Sequence, residues 1–116
     1  MKMDKGLVGG STNLLVLTLL SERDFYGYEI IRELADRSDK TFEFKEGTLY
    51  PVLHKLENNG FVKSYMQQAE SGKERKYYTI TKKGIAQLAE EKEQWKLFSA
   101  SVNKVVLGEA YGLSMA

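Results

Sequence analysis

The chain has 116 residues, 42% hydrophobic and 28% charged, which suits one folded domain and is too apolar for a disordered segment. With no cysteine and one histidine it excludes disulfides, thiol nucleophiles, zinc knuckles and His-rich metal cages together. The net charge of +1 is unevenly spread, because residues 61–83 hold six basic and two acidic side chains, a local +4.

The N-terminal "MKMDKGLVGG" lacks the apolar core of a signal peptide. No apolar run reaches the roughly 18 residues of a membrane span. A cytoplasmic location without a membrane partner is therefore expected. Ser11 or Thr12 caps a first helix whose "NLLVLTLL" is apolar on nearly every side, the pattern of a helix buried by the rest of the domain. "SERDF" interrupts it. In "YGYEIIRELADRS", Tyr28, Ile31, Leu34 and Ala35 fall at helical spacing, with Glu29, Arg32, Glu33 and Asp36 opposite, so a second helix lies on the surface. A third follows in "EGTLYPVLHKLENNG", where Leu49, Val52, Leu53 and Leu56 keep the i, i+3, i+4, i+7 rule and Gly60 suits a left-handed cap. Its Pro51 costs little if the helix begins near Gly47 or Thr48, whereas a start at Lys45 puts the proline beyond the first turn and demands a local kink.

The period then changes. "FVKSYMQ" alternates, "QAESGKE" is a turn with Ser-Gly at its tip, and "RKYYTI" is β-branched and aromatic, which together predict a β-hairpin. Thr81 then caps a helix running to about residue 107, near 40 Å at 1.5 Å per residue and long for so small a core. The expected fold is mainly α with a small β-hairpin. Residues 1–80 form a winged helix-turn-helix of three helices and a two-stranded wing, 81–107 a long C-terminal dimerisation helix, and 108–116 a frayed tail.

That element order places the third helix in a DNA major groove and the ribbon on the flanking backbone. With the leucines turned inward, Thr48, Tyr50, Pro51, His54, Lys55 and Asn58 are left facing outward. Hydroxyls, an imidazole and an ammonium suit base edges and phosphates, and the Thr methyl or Pro ring suits a thymine methyl. Lys63, Lys73, Arg75 and Lys76 supply the hairpin's phosphate contacts, with Lys82 and Lys83 just beyond. A solvated helix face is the ordinary alternative for any one of these residues. Along the last helix, Leu88, Trp95, Phe98, Val102 and Val105 make a heptad-like stripe broken by Glu91, which marks a partner surface. Enzymatic chemistry has no foothold, since no nucleophile has an activating partner and no Gly-rich phosphate loop is present. A winged-helix module that binds protein rather than DNA is the remaining alternative.

"GTLYPVLHKLENNGFVKS" followed by "KERKYYTITKKG" closely resembles the PadR family of winged-helix transcriptional regulators. The resemblance runs back to Gly27-Tyr28 and forward through Trp95, about residues 7–106, and the short C-terminal part is similar to the compact branch with one long terminal helix. It implies a homodimeric repressor on a roughly palindromic double-stranded operator, with no cofactor. Carried over position by position, it implies DNA contacts from Lys45, Thr48, Tyr50, His54 and Lys55 and from wing residues Lys73, Arg75 and Lys76. It implies also that the last helix packs on its mate and on the partner's first helix. Multidrug-sensing members stack planar aromatic effectors on a tryptophan at the dimer centre. By that likeness Trp95, Phe98 and Ser99 with Ser11, Leu14 and Thr18 would line such a pore, Ser99 replacing an acidic residue of those members.

Overall fold

A computed structural model of the chain describes residues 6 and 9–108; the expected tail lies outside them beyond Gly108. Helix α1, Thr12–Glu22, buries Thr12, Val16, Leu17, Leu19 and Leu20 and forms the centre of the domain. Burial on so many sides explains why its sequence shows almost no polar face. The chain then makes a strand that sequence reading missed: β1, Phe25–Tyr26, pairs antiparallel with the later strand β3, Glu74–Ile80, through Phe25 opposite Tyr78 and Tyr26 opposite Tyr77. Two residues are too few to display a period of two. The expected two-stranded ribbon is thus part of a three-stranded sheet ordered β1-β3-β2, where β2 is Val62–Gln68.

Helix α2, Gly27–Arg37, begins where the Glu29 carboxylate accepts the Tyr26 amide at 3.2 Å, satisfying one of the free donors of the helix start. Its buried residues are Gly27, Ile30 and Leu34. Of the expected inward face, Leu34 is buried and Ile31 and Ala35 are half-buried, while Tyr28 departs from it. Tyr28 is 48% exposed, because the helix starts at Gly27 and the face repeating from there passes through Ile30 and Leu34. At its far end Arg37 grips Glu22 of α1 with both Nη atoms, one at 2.9 Å from Glu22 Oε2, and Glu33 at 2.8 Å. That pairing holds the Glu22 carboxyl below its usual range.

Helix α3, Glu46–Asn58, presents Leu49, Leu53 and Leu56 to the core beside Phe44, Val62, Tyr78 and the buried face of α1. It ends in the expected left-handed cap: Gly60 has φ +80°, the Phe61 amide reaches back to the Leu56 carbonyl at 2.9 Å and the Gly60 amide to the Glu57 carbonyl at 3.0 Å. β2 and β3 pair from Val62–Ile80 to Gln68–Glu74, and the tip closes where the Ala69 amide meets the Lys73 carbonyl at 2.7 Å.

Thr81 then caps α4, Lys82–Leu107, its hydroxyl oxygen accepting the Gly84 amide at 3.0 Å. The same hydroxyl donates to the Gly60 carbonyl at 2.7 Å, and Lys83 Nζ donates to the Asn59 carbonyl at 2.8 Å. The first turn of α4 therefore clamps the C-terminal end of α3. Gly84 and Leu88 are the buried residues of α4; beyond them the helix leaves the core.

A second tether holds the sheet's outer face. Tyr65 donates to Asp24 Oδ2 at 2.6 Å and stacks on Tyr77, ring centroids 5.7 Å apart, while Tyr77 meets Tyr26 edge to face at 5.4 Å. The hydrogen bond to Asp24, aided by burial and the Asp24 charge, pushes the Tyr65 phenol up to about 12. A pKa raised on folding favours the protonated native form. The bond's contribution, under about 1 kcal/mol at so exposed a site, is therefore full below the unfolded phenol value of about 10 and lost as pH rises toward the folded one. Tyr65→Phe should melt slightly below wild type at pH 8, and the gap should close by pH 12. A gap unchanged with pH would exclude the Asp24 bond as its source.

Candidate nucleic-acid interface

Helix α3 starts with Lys45 at its N-cap, the earlier of the two starts open from sequence. Thr48 and Leu49 amides both bond to the Lys45 carbonyl, at 3.0 and 2.9 Å. Pro51 consequently sits at the sixth helical position, where its missing amide leaves the Gly47 carbonyl without its usual i+4 donor. The expected low cost of Pro51 is thus not met by its position in the first turn. Lys45, Thr48, Tyr50, Pro51, His54 and Lys55 are all exposed.

Between α3 and the wing lies an open cleft of about 720 Å³. Tyr26, Gly27 and Tyr28 close one end, Glu46, Tyr50, His54 and Glu57 come from α3, and Glu74, Arg75, Lys76 and Tyr78 come from β3. It thus joins four residues expected to touch DNA, Tyr50, His54, Arg75 and Lys76. Lys45, Thr48, Pro51, Lys55, Lys63 and Lys73 do not line it. Strand alternation puts Lys63 on the ribbon face that carries Tyr65 and Arg75, at the end away from the turn, whereas Lys73 is in the turn itself. Of the adjacent Tyr77 and Tyr78, Tyr78 is the inward one, 5% exposed.

The lining is mixed in charge: three carboxylates, Glu46, Glu57 and Glu74, accompany two cations, so the cleft itself is not a phosphate-binding basin. Ser64 donates to Glu57 Oε2 at 2.6 Å and fixes that carboxylate in place. Burial, then Glu46, raises the Tyr50 phenol; burial, then Glu57, raises that of Tyr78. Both hydroxyls remain protonated donors at neutral pH. The cations are differently placed: the Arg75 guanidinium lies 5.0 Å from the Tyr26 ring centroid and Lys76 Nζ 5.7 Å from that of Tyr78. Arg75 Nε is shielded from solvent and has no acceptor among the described residues, which leaves the two Nη groups as the donors a ligand can reach. Sequence reading missed Tyr26, Tyr28 and the carboxylate trio, and only the tyrosines flanking Gly27 in "FYGYE" signalled any of them.

The family model described as the transcriptional regulator PadR-like family matches residues 16–90. The chain belongs to the PadR family. Members of the PadR family are transcriptional regulators rather than enzymes. A transcriptional regulator from Clostridium thermocellum superposes with a TM-score of 0.81 at 36% identity, over 90% of this chain and 98% of that one. A PadR-like transcriptional regulator from Bacillus cereus gives 0.80 at 32%, over 90% and 100%. An uncharacterised protein of Lysinibacillus sphaericus is 38% identical over 77% of this chain and 82% of its own length. The transcriptional regulator YqjI of Escherichia coli is 27% identical over 87% of this chain, which spans 47% of that relative.

The PadR match ends before Trp95, so the outer half of α4 is described from its own geometry. Trp95, Phe98, Val102 and Val105 are 48, 63, 39 and 85% exposed, and the Trp95 and Phe98 rings lie 6.3 Å apart. Leu88 departs from the expected interface stripe: at 5% exposed it is already covered by its own subunit, one helical turn past Gly84 where α4 still lies on the core. Ser11, Leu14 and Thr18 are half-buried on one face of α1, and the Thr18 hydroxyl is donated to the Leu14 carbonyl at 2.7 Å. Ser99 is also half-buried, its hydroxyl donated to the Lys96 carbonyl at 3.3 Å. No helix among the described residues is long and apolar enough to cross a membrane.

Proposed function

We propose that this chain is a homodimeric repressor that binds a palindromic DNA operator through helix 46–59 and the 61–80 wing, and that a planar aromatic effector releases it. The observation that carries the reading is the adjacency of an exposed, polar α3 face with Arg75 and Lys76 across one cleft. Thr48, Tyr50, Pro51, His54 and Lys55 would meet base edges and sugar-phosphate. Lys45 at the helix start, Arg75 and Lys76 at the rim, and Lys63 and Lys73 along the ribbon would meet phosphates, whose neutralisation releases counterions and supplies most of the affinity.

Dimerisation follows from the outer half of α4. Trp95, Phe98, Val102 and Val105 form an apolar stripe on a helix that has left its own core, and a second copy of that stripe is the cover with matching length and chemistry. Two such subunits place two α3 helices in successive major grooves, about 34 Å apart. An effector held by Trp95 and Phe98, with Ser99, Ser11, Leu14 and Thr18 around it, would favour a dimer of different spacing and lower operator affinity, since only differential binding shifts such an equilibrium.

Selection from a random duplex pool tests the reading. The expected winner is a palindrome with half-sites about one helical turn apart, bound by a species of twice the monomer mass. Planar aromatics should quench Trp95 fluorescence and release the duplex. A pool that yields no enriched sequence would move the chain to the protein-interaction reading. A monomeric mass would remove the operator geometry.

A further inference from the structure

Gly27 stands at the first position of α2, buried, and faces the recognition helix. A Cβ there would lie 2.5, 2.8 and 2.9 Å from Tyr50 Cε1, Oη and Cζ, closer than side chains approach one another. All three of these nearest atoms belong to one phenol, that of Tyr50. Tyr50 belongs to the exposed face of α3, yet its ring is laid back across the start of α2 in the cleft. Without that seat, a tyrosine at an exposed helical position has free rotamers and no fixed hydroxyl.

We infer that Gly27 is a positioning residue for recognition, holding the Tyr50 phenol in one rotamer across the α2–α3 junction so that its hydroxyl meets DNA preorganised; this rests on the DNA-binding reading above. The backbone of Gly27 has no left-handed requirement, since its φ lies outside the positive region that glycine alone favours. An alanine at a helix's first position is otherwise compatible with α structure. The nearest obstacle to it is the Tyr50 ring. Because that ring is the far end of a flexible side chain, Gly27→Ala should displace it without unfolding the domain. The defect should therefore appear in discrimination between sequences and not in the sequence-independent phosphate term.

The experiment is a cycle of wild type, Gly27→Ala, Tyr50→Ala and Gly27→Ala/Tyr50→Ala. Each is measured against the duplex enriched by the wild type and against a scrambled duplex of equal composition, over a salt series, with a thermal melt for each. Gly27→Ala and Tyr50→Ala should each lower the enriched-to-scrambled ratio by roughly tenfold with the salt slope unchanged. In the Tyr50→Ala background, Gly27→Ala should change the ratio by less than about twofold and should not lower the melting temperature. A ratio equal to wild type for Gly27→Ala overturns the inference, as does an equal further loss in the Tyr50→Ala background, which would place the role in the backbone. If the wild type enriches no duplex, the DNA-binding reading fails first. In that case a Gly27→Ala melting loss that Tyr50→Ala fails to relieve also overturns the seat.

Discussion

Gly84→Ala should lower the melting temperature by about 10 °C or more. A Cβ at Gly84 would lie well inside contact distance of the Phe61 carbonyl oxygen, 2.7 Å from Ile80 Cγ1 and 3.0 Å from the Phe61 carbonyl carbon. Alanine gains about 1 kcal/mol of helix propensity over glycine, which opposes the effect. Overlap decides the sign, because the obstacle is backbone and that backbone is pinned. The Phe61 carbonyl accepts the Thr81 amide at 3.0 Å and lies 3.1 Å from the Thr81 hydroxyl, while the Phe61 amide closes the α3 cap. Relief would have to open the cap of α3 or lift the first turn of α4 from the sheet. Overpacking against rigid surroundings costs about 1–3 kcal/mol or more, and each kcal/mol is worth about 4–8 °C in a domain of this size. Differential scanning calorimetry checks it; an unchanged midpoint would mean that α4 does not rest on Phe61.

Arg75→Ala with Lys76→Ala should weaken binding to any duplex by roughly ten- to a hundredfold, with the slope of log affinity against log salt reduced by about 2. The expectation is larger for Arg75 than its place on a surface strand suggests. Its guanidinium is held over Tyr26, so little side-chain freedom is lost when a phosphate arrives. Lys76 contributes charge beside Glu74 and is the weaker half. Specificity should survive the double change, because the enriched-to-scrambled ratio depends on α3. His54→Ala should do the reverse, lowering the ratio at constant slope. A salt slope identical to wild type would remove the wing from the phosphate contacts.

What could be read in the sequence was what the chain decides locally. The leucine face of α3, the Gly60 cap, the Ser71-Gly72 tip and Thr81 as an N-cap depend on neighbours within a few residues, and period, cap and turn chemistry disclose them. The start of α3 was ambiguous because its signals conflict: Pro51 favours a late start, and Glu46 near a helix N-terminus favours an early one. Three features were hidden because their partners are distant in sequence. β1 exists because Phe25 and Tyr26 find Tyr78 and Tyr77 some fifty residues later. Tyr28 leaves the core because α2 begins at Gly27. Leu88 has the right spacing for a seam and is used up by its own core, a distinction that spacing cannot draw. The carboxylate trio of the cleft is the same kind of fact, assembled from both ends of α3 and the beginning of β3.

The clamp at residues 59–61 and 81–84 makes α3 the short arm of a lever. Thr81, Lys83 and Gly84 fasten α4 to the end of α3 through backbone carbonyls, without an intervening loop that could bend. The long arm is the helix beyond the clamp, 85–107, about 35 Å. A tilt of about 10° at the clamp carries the far end of that arm through about 6 Å. Conversely, a shift of about 3 Å where Trp95, Phe98 and Val102 lie, roughly 17–27 Å from the clamp, corresponds to a tilt of about 6–10°. The gearing trades amplitude for angle: a displacement along the outer helix arrives at α3 reduced in distance and preserved in angle.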